Sequence, residues 1–269
     1  MAFRLRNFLD VLETIAPAQW AESWDNTGLQ IGSLSQRIAK IFSSLDPTPR
    51  ALEAASNAGA QLLFTHHPLI FKPLSRIDTH AFPGDVISEA AVRGVAVAAA
   101  HTNLDVAPGG INDILADLLG LRDRKILKPV DGMDGVGLGR IGNLAQPGDL
   151  ISVAAEVKQV LGEPDIRVVG KPDVLIRQIA VVGGSGGSLV SIAAEKGADL
   201  LVTGDIGHHV ALEADALGIA LLDAGHFHLE QTAFRSFAVT LRTILERDGW
   251  DVEVQTDEEE VNPLRTIGE

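Results

Sequence analysis

Hydrophobic residues near the start of the chain recur at helical spacing. Phe8, Leu9, Leu12 and Ile15 fall on one face of an α-helix. The surrounding segment has neither an unbroken apolar run nor a small-residue cleavage site, which a secretory signal would need. The pattern therefore predicts an amphipathic first helix and no signal peptide.

A longer pattern of strand, turn, helix, glycine and strand occurs twice. The segments 41–65 and 179–203 align residue for residue without a gap, and they end in the apolar runs LLFT and LLVT. Gly59 and Gly197 precede these runs, at the point where a helix commonly ends in a left-handed residue. After each copy comes another helix-like segment, then a glycine and a further apolar strand, in 94–105 and 218–230.

Strands that alternate with helices at this spacing predict βαβ units. We therefore expect an α/β protein of two related α/β domains, with mixed, mostly parallel sheets flanked by helices. The simplest origin is an internal duplication, although βαβ units also resemble one another for physical reasons alone. Pro, Gly and Asp collect in KPVDGMDG, which begins at Lys128. That composition suggests a first half of residues 1–127 and a second half of residues 128–269.

Composition excludes several kinds of protein. The chain has no cysteine, so disulfides, a thiol nucleophile and a cysteine-based zinc site are ruled out. The formal net charge is −14 and no Lys/Arg cluster is present, so we expect no nucleic-acid partner. No apolar run reaches the roughly 18 residues of a membrane span, and we expect a cytoplasmic protein. The acidic run TDEEEV near the C-terminus is expected to be a solvated surface segment.

Histidines and carboxylates follow the ends of several predicted strands. His66 and His67 come directly after LLFT, and His101 follows the next strand with Asp105 four residues later. In the second copy, His226 follows the corresponding strand with Glu230 four residues later, and the pair His208–His209 comes soon after LLVT. Because ligands bind at the carboxyl ends of strands in open α/β sheets, this pattern predicts a site there. Such nitrogen and oxygen donors suit zinc, manganese, iron, cobalt or nickel.

The adjacent histidines favour two ions over one. In extended chain, neighbouring side chains point to opposite sides, so we expect His66 and His67 to bind one ion each. Asp105 or Glu230 could bridge the ions through its two carboxylate oxygens. Alternatives remain for each motif taken alone: a ring that is satisfied by a backbone partner, a local turn at HTNLD, or a carboxylate that stabilises the start of a helix.

Five motifs, in order, resemble one protein family. SWDNTGLQIG, THHPLIFKPL, AHTNLDVAPGGIND, GDIGHH and DAGHFHLE occur along nearly the whole chain. They are similar to the motifs of the Nif-three-like family of dinuclear metal-centre proteins, whose bacterial members often bear the name GTP cyclohydrolase 1 type 2 homolog. The chain is similar to the short form of the family.

The resemblance implies a toroidal homohexamer in which each subunit has two α/β domains and binds two divalent metal ions. It implies that the ligands are His66, His67, Asp105, His226 and Glu230, with Glu230 bridging and His101 as a further ligand or a partner of a ligand. Asp205, His208 and His209 would border the site. His228 departs from the residue that the family commonly has inside HFHLE.

Two functions follow as hypotheses. The first is a metal-dependent hydrolase that acts on a small nucleotide-like or phosphorylated molecule, with His101 or His208 as general acid or base. The second is a non-catalytic metal-handling or regulatory protein. GGSGGS (residues 183–188) is either an anion-binding loop or a tight turn. SWDNTG is either a turn with a buried Trp24 or a segment near the cavity, where Asp25 orients a substrate or a group that contacts a metal ligand.

Overall fold

The computed structural model of the protein describes residues 2–162 and 165–265. The first helix begins at Leu5 and buries Leu5, Phe8, Val11 and Leu12, which confirms the predicted amphipathic helix. In chain order the helices and strands are α1 (Leu5–Ile15), β1 (Gly28–Ile31), β2 (Lys40–Ser44), α2 (Pro49–Asn57), β3 (Leu62–Thr65), α3 (Gly84–Arg93), β4 (Ala96–Ala99), α4 (Thr102–Val106), α5 (Ile111–Leu118), β5 (Arg122–Pro129), β6 (Gly137–Asp149), α6 (Leu150–Val160), β7 (Arg167–Val169), β8 (Leu175–Val181), α7 (Val190–Glu195), β9 (Leu200–Thr203), α8 (His208–Leu217), β10 (Ala220–Asp223), α9 (His226–Arg247) and β11 (Glu253–Thr256).

The chain divides into two compact units, which we call unit 1 and unit 2. Unit 1 comprises Met1–Leu104 and Phe234–Val261, and unit 2 comprises Asp105–Ala233 and Asn262–Glu269. This division differs from the predicted halves 1–127 and 128–269, which also include residues outside the described ranges. The reason is long-range pairing: β11 joins β2 in unit 1, whereas β5 pairs with β6 in unit 2.

The sheet of unit 1 has the strand order β1-β4-β3-β2-β11 over the described residues. Only the edge strand β1 runs antiparallel to its neighbour, so this sheet is mostly parallel, as predicted. Leu63 on β3 packs with the buried faces of α2 and α3. Phe64 points to the opposite face, where its ring lies 5.2 Å from those of Phe8 and Phe234. Both faces of β3 are therefore covered by helices, which explains its unbroken apolar sequence.

The sheet of unit 2 has the order β5-β6-β8-β9-β10-β7 over the described residues. This sheet is mixed, in keeping with the predicted fold class, and its β8–β9 and β9–β10 pairs are parallel. The long strand β6 pairs antiparallel with both β5 and β8, and β7 pairs antiparallel with β10. α7 and α8 cover the core of this sheet through Val190, Ala193 and Ala214.

The two units repeat one order of elements. The series α1-β1-β2-α2-β3-α3-β4 corresponds to α6-β7-β8-α7-β9-α8-β10, and a helix follows each series. The strand order β1-β4-β3-β2 likewise recurs as β7-β10-β9-β8, including the antiparallel edge strand. Gly59 and Gly197 both have positive φ, at 71° and 84°, as the repeat predicted. A common order that extends beyond the aligned segments is what a duplication predicts.

The acidic C-terminal run is not simply a solvated segment. Asp257 is buried, and both of its carboxylate oxygens accept hydrogen bonds from the guanidinium of Arg50. Glu260 accepts from the Ser44 hydroxyl at 2.7 Å and from the amide of Leu45. Burial raises the pKa of Glu260 despite these hydrogen bonds. The run therefore anchors the loop that follows β2. No helix in the described part of the chain is long and apolar enough to cross a membrane.

A buried ion pair fastens α5 to β6 in unit 2. Arg140 is only 3% exposed and donates to both carboxylate oxygens of Asp113 and to the carbonyls of Gly137 and Gly139. Burial of Asp113 works to raise its pKa, but the hydrogen bonds from Arg140 and the Gly109 amide outweigh it and lower the pKa below 3.8. The ionised carboxylate therefore stabilises the fold.

Asp113→Asn should lower the free energy of unfolding by about 3 kcal/mol at neutral pH, because it leaves a buried guanidinium without its counter-charge. The folded-state pKa is lowered, so the stabilisation is present above the ordinary carboxyl pKa and is lost as the pH falls through the lowered value. Urea unfolding at several pH values should show a gap between native and variant that is full at pH 5–7 and shrinks below about pH 4. Asp117→Asn on the same helix is the control, since the exposed Asp117–Arg124 pair should contribute under about 1 kcal/mol. An equal effect of both variants, or a constant gap, would contradict the assignment.

Candidate metal centre

The paired histidines of unit 1 lie in a bend directly after β3. The amides of His66 and His67 both donate to the carbonyl of Leu45, at 3.2 and 3.1 Å. The hydroxyl of Thr65 also donates to the carbonyl of His67. The chain is thus not extended here, and the expectation that the two rings point to opposite sides is wrong. Their ring centroids lie 5.2 Å apart.

His101 joins this pair to form a three-histidine cluster. It follows β4, the neighbour of β3, and its ring centroid lies 5.3 Å from that of His66 and 5.4 Å from that of His67. One ring nitrogen from each of the three residues lies within 4.8 Å of the other two. The predicted convergence at the carboxyl ends of adjacent strands is confirmed within unit 1. The geometry makes His101 as well placed to bind an ion as the adjacent pair.

Each imidazole of the cluster has an acceptor at Nδ1. His66 Nδ1 lies 2.8 Å from the Ala100 carbonyl, and His67 Nδ1 lies 2.7 Å from the Asp46 carboxylate. His101 Nδ1 lies 2.8 Å from the Asp25 carboxylate. Because these oxygens only accept, Nδ1 donates in each case, and the neutral ring then has its lone pair at Nε2. This is the arrangement that orients metal-binding histidines.

Asp25 is held strongly in its ionised form. Its side chain is fully buried. Burial works to raise its pKa, but hydrogen bonds from His101, from the hydroxyl of Thr102 and from the amide of Asn26 outweigh it and lower the pKa to about 2. The sequence interpretation that Asp25 orients a group close to the metal ligands fits its contact with His101. Trp24 beside it is 55% exposed, which excludes the alternative of a turn with a buried indole.

Unit 2 contains a matching His–Glu pair at the start of α9. His226 and Glu230 are one helical turn apart, and His226 Nε2 lies 2.8 Å from Glu230 Oε2. His226 Nδ1 lies 2.7 Å from the carboxylate of Asp205, which has a positive φ of 57°. A fourth histidine therefore has an acceptor at Nδ1, and Asp205 borders this pair as predicted. The described residues thus include a histidine cluster and a His–Glu pair that could hold a metal ion.

The glycine-rich loop after β8 makes room for Glu230. A Cβ on Gly184 would come within 2.2 Å of Glu230 Oε1, and one on Gly183 would come within 2.9 Å of Ile111. The amide of Gly183 donates to Asn112 and that of Gly186 to Thr203. These two amides are used inside unit 2, which favours the tight-turn interpretation of GGSGGS over the anion-binding one.

Asn112 links two parts of the predicted ligand set. It is fully buried, and its Nδ2 donates to the carbonyl of Asp105 while its Oδ1 accepts from Gly183, both at 2.9 Å. It therefore ties the segment that contains Asp105 to the loop that packs on Glu230. Sequence reasoning did not single out Asn112. The signal in the sequence is its position inside the motif AHTNLDVAPGGIND, directly before Asp113.

The remaining histidines lie in other surroundings. His208 begins α8, is exposed and has its ring 5.7 Å from that of His209. His228 is half-buried and contacts Phe227 edge-to-face at 5.5 Å. Burial lowers the pKa of His228, against the opposing effect of the Asp165 carboxylate. A proton-transfer role for His208 stays a prediction.

A family model described as Duf34/NIF3 (NGG1p interacting factor 3) matches residues 3–263. The chain belongs to the Duf34/NIF3 family. The resemblance predicted from the five motifs is thereby confirmed.

Relatives of this Duf34/NIF3 protein match it from end to end. A Clostridium perfringens protein named GTP cyclohydrolase 1 type 2 homolog is 33% identical over 266 residues, 98% of this chain and 100% of the relative. A Streptomyces coelicolor protein of the same name is 35% identical over 265 residues, 97% and 93% of the two chains. The crystal structure of a Bacillus cereus protein related to NIF3 is similar with a TM-score of 0.93 and 26% identity, covering 99% of this chain and 100% of that one.

Gly184→Ala should displace the Glu230 carboxylate and weaken metal binding by about 10- to 100-fold, as loss of other groups around ligands does. Gly197→Ala is a matched control, because Gly197 also has a positive φ but has only Gln178 near its added Cβ, at 3.6 Å. Zinc titration with a competing chromophoric chelator measures the difference. Equal zinc affinities in the two variants would show that the loop does not position Glu230.

Asn112→Leu should weaken zinc binding by about tenfold, because it removes the side-chain bridge between Asp105 and Gly183. It should also cost about 1–3 kcal/mol of folding free energy for each buried backbone group that is left unsatisfied. Asn143→Leu on β6 is the control, since Asn143 bonds to Asp123 and Gln178 instead. Unchanged zinc affinity in a folded Asn112→Leu protein would refute the positioning role.

Proposed function

We propose that this protein binds two divalent metal ions and hydrolyses a small nucleotide-like or phosphorylated molecule. The proposed ligands are His66, His67, Asp105, His226 and Glu230, with Glu230 bridging the two ions. The ions are zinc, iron, manganese, cobalt or nickel, which accept these nitrogen and oxygen donors.

The observation that supports this proposal best is the common environment of four imidazoles. His66, His67, His101 and His226 each have an acceptor within hydrogen-bond distance of Nδ1: one carbonyl and three carboxylates. A structural histidine in a core needs no such repeated arrangement. A metal-binding histidine does, because a partner at Nδ1 fixes the ring and raises the basicity of Nε2.

The donor set also fits the charge of a dinuclear centre. Asp105 and Glu230 would supply two negative charges as ligands. Three further carboxylates each lie within hydrogen-bond distance of an imidazole Nδ1, and they belong to Asp46, Asp25 and Asp205. In the proposed centre, these carboxylates would repel one another if no cations were bound. Divalent ions are the expected compensation.

The catalytic hypothesis assigns distinct tasks to the protein's own groups. When bound, the ions supply Lewis acidity, which polarises the bond to be hydrolysed and lowers the pKa of water. His101 would take or release a proton at Nε2, while Asp25 keeps Nδ1 protonated and holds the ring in place. His208 is the second candidate for proton transfer, from the exposed start of α8. Binding of an ion through His101 Nε2 is the competing role for that residue.

The names of the relatives favour hydrolysis. Two of them are called GTP cyclohydrolase 1 type 2 homolog, which is a hydrolase name for a nucleotide substrate. The family description, NGG1p interacting factor 3, favours instead a protein-interaction role with the ions as structural or stored metal. Assembly as a toroidal homohexamer is part of the proposal in either case and is tested by sedimentation of the native protein.

Glu230→Gln should lose both ions, because the proposed bridge touches each of them. Metal per subunit is measured by mass spectrometry of digested protein that was purified without an affinity tag. The exposed Glu53→Gln on α2 is the control and should retain about two equivalents. Full metal content in Glu230→Gln would refute the bridging assignment.

The same measurement on His101→Asn separates its two roles. Retention of both ions with loss of turnover on nucleotides and phosphoesters would support proton transfer, and loss of one ion would make His101 a ligand. Native protein that holds two ions but turns over none of these compounds would favour the metal-handling alternative. Native protein with well under one equivalent, not restored by any of the five metals, would overturn the dinuclear centre.

A further inference from the structure

Two exposed aromatic side chains of unit 1 lie against the ring of His101. Trp24 is 55% exposed and Phe71 is 45% exposed, whereas Phe8 and Phe64 are fully buried. An exposed indole leaves a large apolar area in water. Exposed aromatic groups that lie together are therefore more typical of a binding surface than single exposed apolar residues are.

The three rings contact one another. The centroids of Trp24 and Phe71 lie 5.6 Å apart with an interplanar angle of 52°. His101 presents its ring to both, at 6.0 Å from Trp24 and 6.4 Å from Phe71, in edge-to-face geometry. A flat molecule on this aromatic pair would therefore lie beside the imidazole to which proton transfer has been assigned.

The aromatic pair is held in place by polar contacts on both sides. Asp25, directly after Trp24, is fixed by His101 and Thr102. Asn26 donates to the carbonyl of Ile70 at 2.6 Å, and the amide of Ile70 donates to Gln30 at 3.0 Å. These contacts fix the backbone next to each aromatic residue. A preorganised platform loses little conformational entropy when a ligand binds.

We propose that Trp24 and Phe71 stack on the planar heteroaromatic ring of a small ligand, such as the base of a nucleotide. This inference rests on the proposed function and specifies where the substrate ring would bind. Stacking is indifferent to the identity of the base, because every base presents a π-face. The net charge of −14 favours a single nucleotide over a nucleic acid as the ligand.

The test is isothermal titration calorimetry on the full-length protein, both as purified and after metal supplementation. Guanosine 5′-monophosphate and adenosine 5′-monophosphate are the probes, and ribose 5-phosphate is the probe without an aromatic ring. Both nucleotides should bind, and ribose 5-phosphate should bind at least tenfold more weakly. Trp24→Leu and Phe71→Leu should each weaken nucleotide binding by about 5- to 100-fold.

Matched variants separate stacking from other effects. Trp24→Phe should restore most of the affinity that Trp24→Leu loses, because it keeps an aromatic face. Phe82→Leu is the control, since Phe82 is a 60% exposed phenylalanine of the same unit with no assigned part in the platform. It should leave the affinity unchanged. Metal content and sedimentation are measured for every variant.

Several results would overturn the proposal. They are absence of nucleotide binding to the native protein, equal binding of ribose 5-phosphate, or unchanged affinity in both leucine variants. A changed sedimentation coefficient in Trp24→Leu, without a specific loss of nucleotide affinity, would instead make the aromatic pair a surface for a second copy of the chain. If the native protein holds two ions, any of these results refutes only the stacking proposal and not the metal centre. If the native protein holds no ions, the proposed function itself is refuted.

Discussion

The candidate site depends on hydrogen bonds at Nδ1, which fix the orientation of the imidazole rings. A ring free to rotate about two bonds has no preferred direction for its lone pair, and ordering it later would cost entropy. In unit 1 the ordering is achieved by the Ala100 carbonyl and by two aspartates. In unit 2 it is achieved by Asp205, on a loop that Asp223 also fixes through the amide of Ile206. Three of these acceptors come shortly after the strands β2, β4 and β9, whereas Asp25 lies just before β1.

The backbone around these groups is as constrained as the side chains. Glu230 needs a neighbour without a Cβ, and Gly184 with its positive φ supplies one. Asn112 then joins this loop to the carbonyl of Asp105 through two hydrogen bonds. Tight packing around a carboxylate excludes water and strengthens its interaction with a cation. Gly184 of this loop therefore serves packing.

Much of this structure could be predicted from local sequence. The runs LLFT and LLVT form β3 and β9 at the predicted positions, and the glycines before them have positive φ. Three histidines of the predicted site converge because strand ends of a parallel sheet meet at one edge. The bend at His66 and His67 could not be predicted, since it depends on the Leu45 carbonyl in the loop after β2. The division into units escaped prediction for the same reason: the pairing of β11 with β2 joins residues far apart in sequence. The exposure of Trp24 could not be predicted either, because it depends on the tertiary contacts around SWDNTG and not on the local sequence.

The contact of Glu260 with Leu45 has a consequence for the order of events during synthesis. The carbonyl of Leu45 accepts hydrogen bonds from the amides of His66 and His67, and the amide of Leu45 donates to the carboxylate of Glu260. The strand β11, which completes the sheet beside β2, is translated long after the paired histidines have left the ribosome. All eight histidines are therefore synthesised before Glu260 can form the contact that fixes the loop by which His67 is oriented.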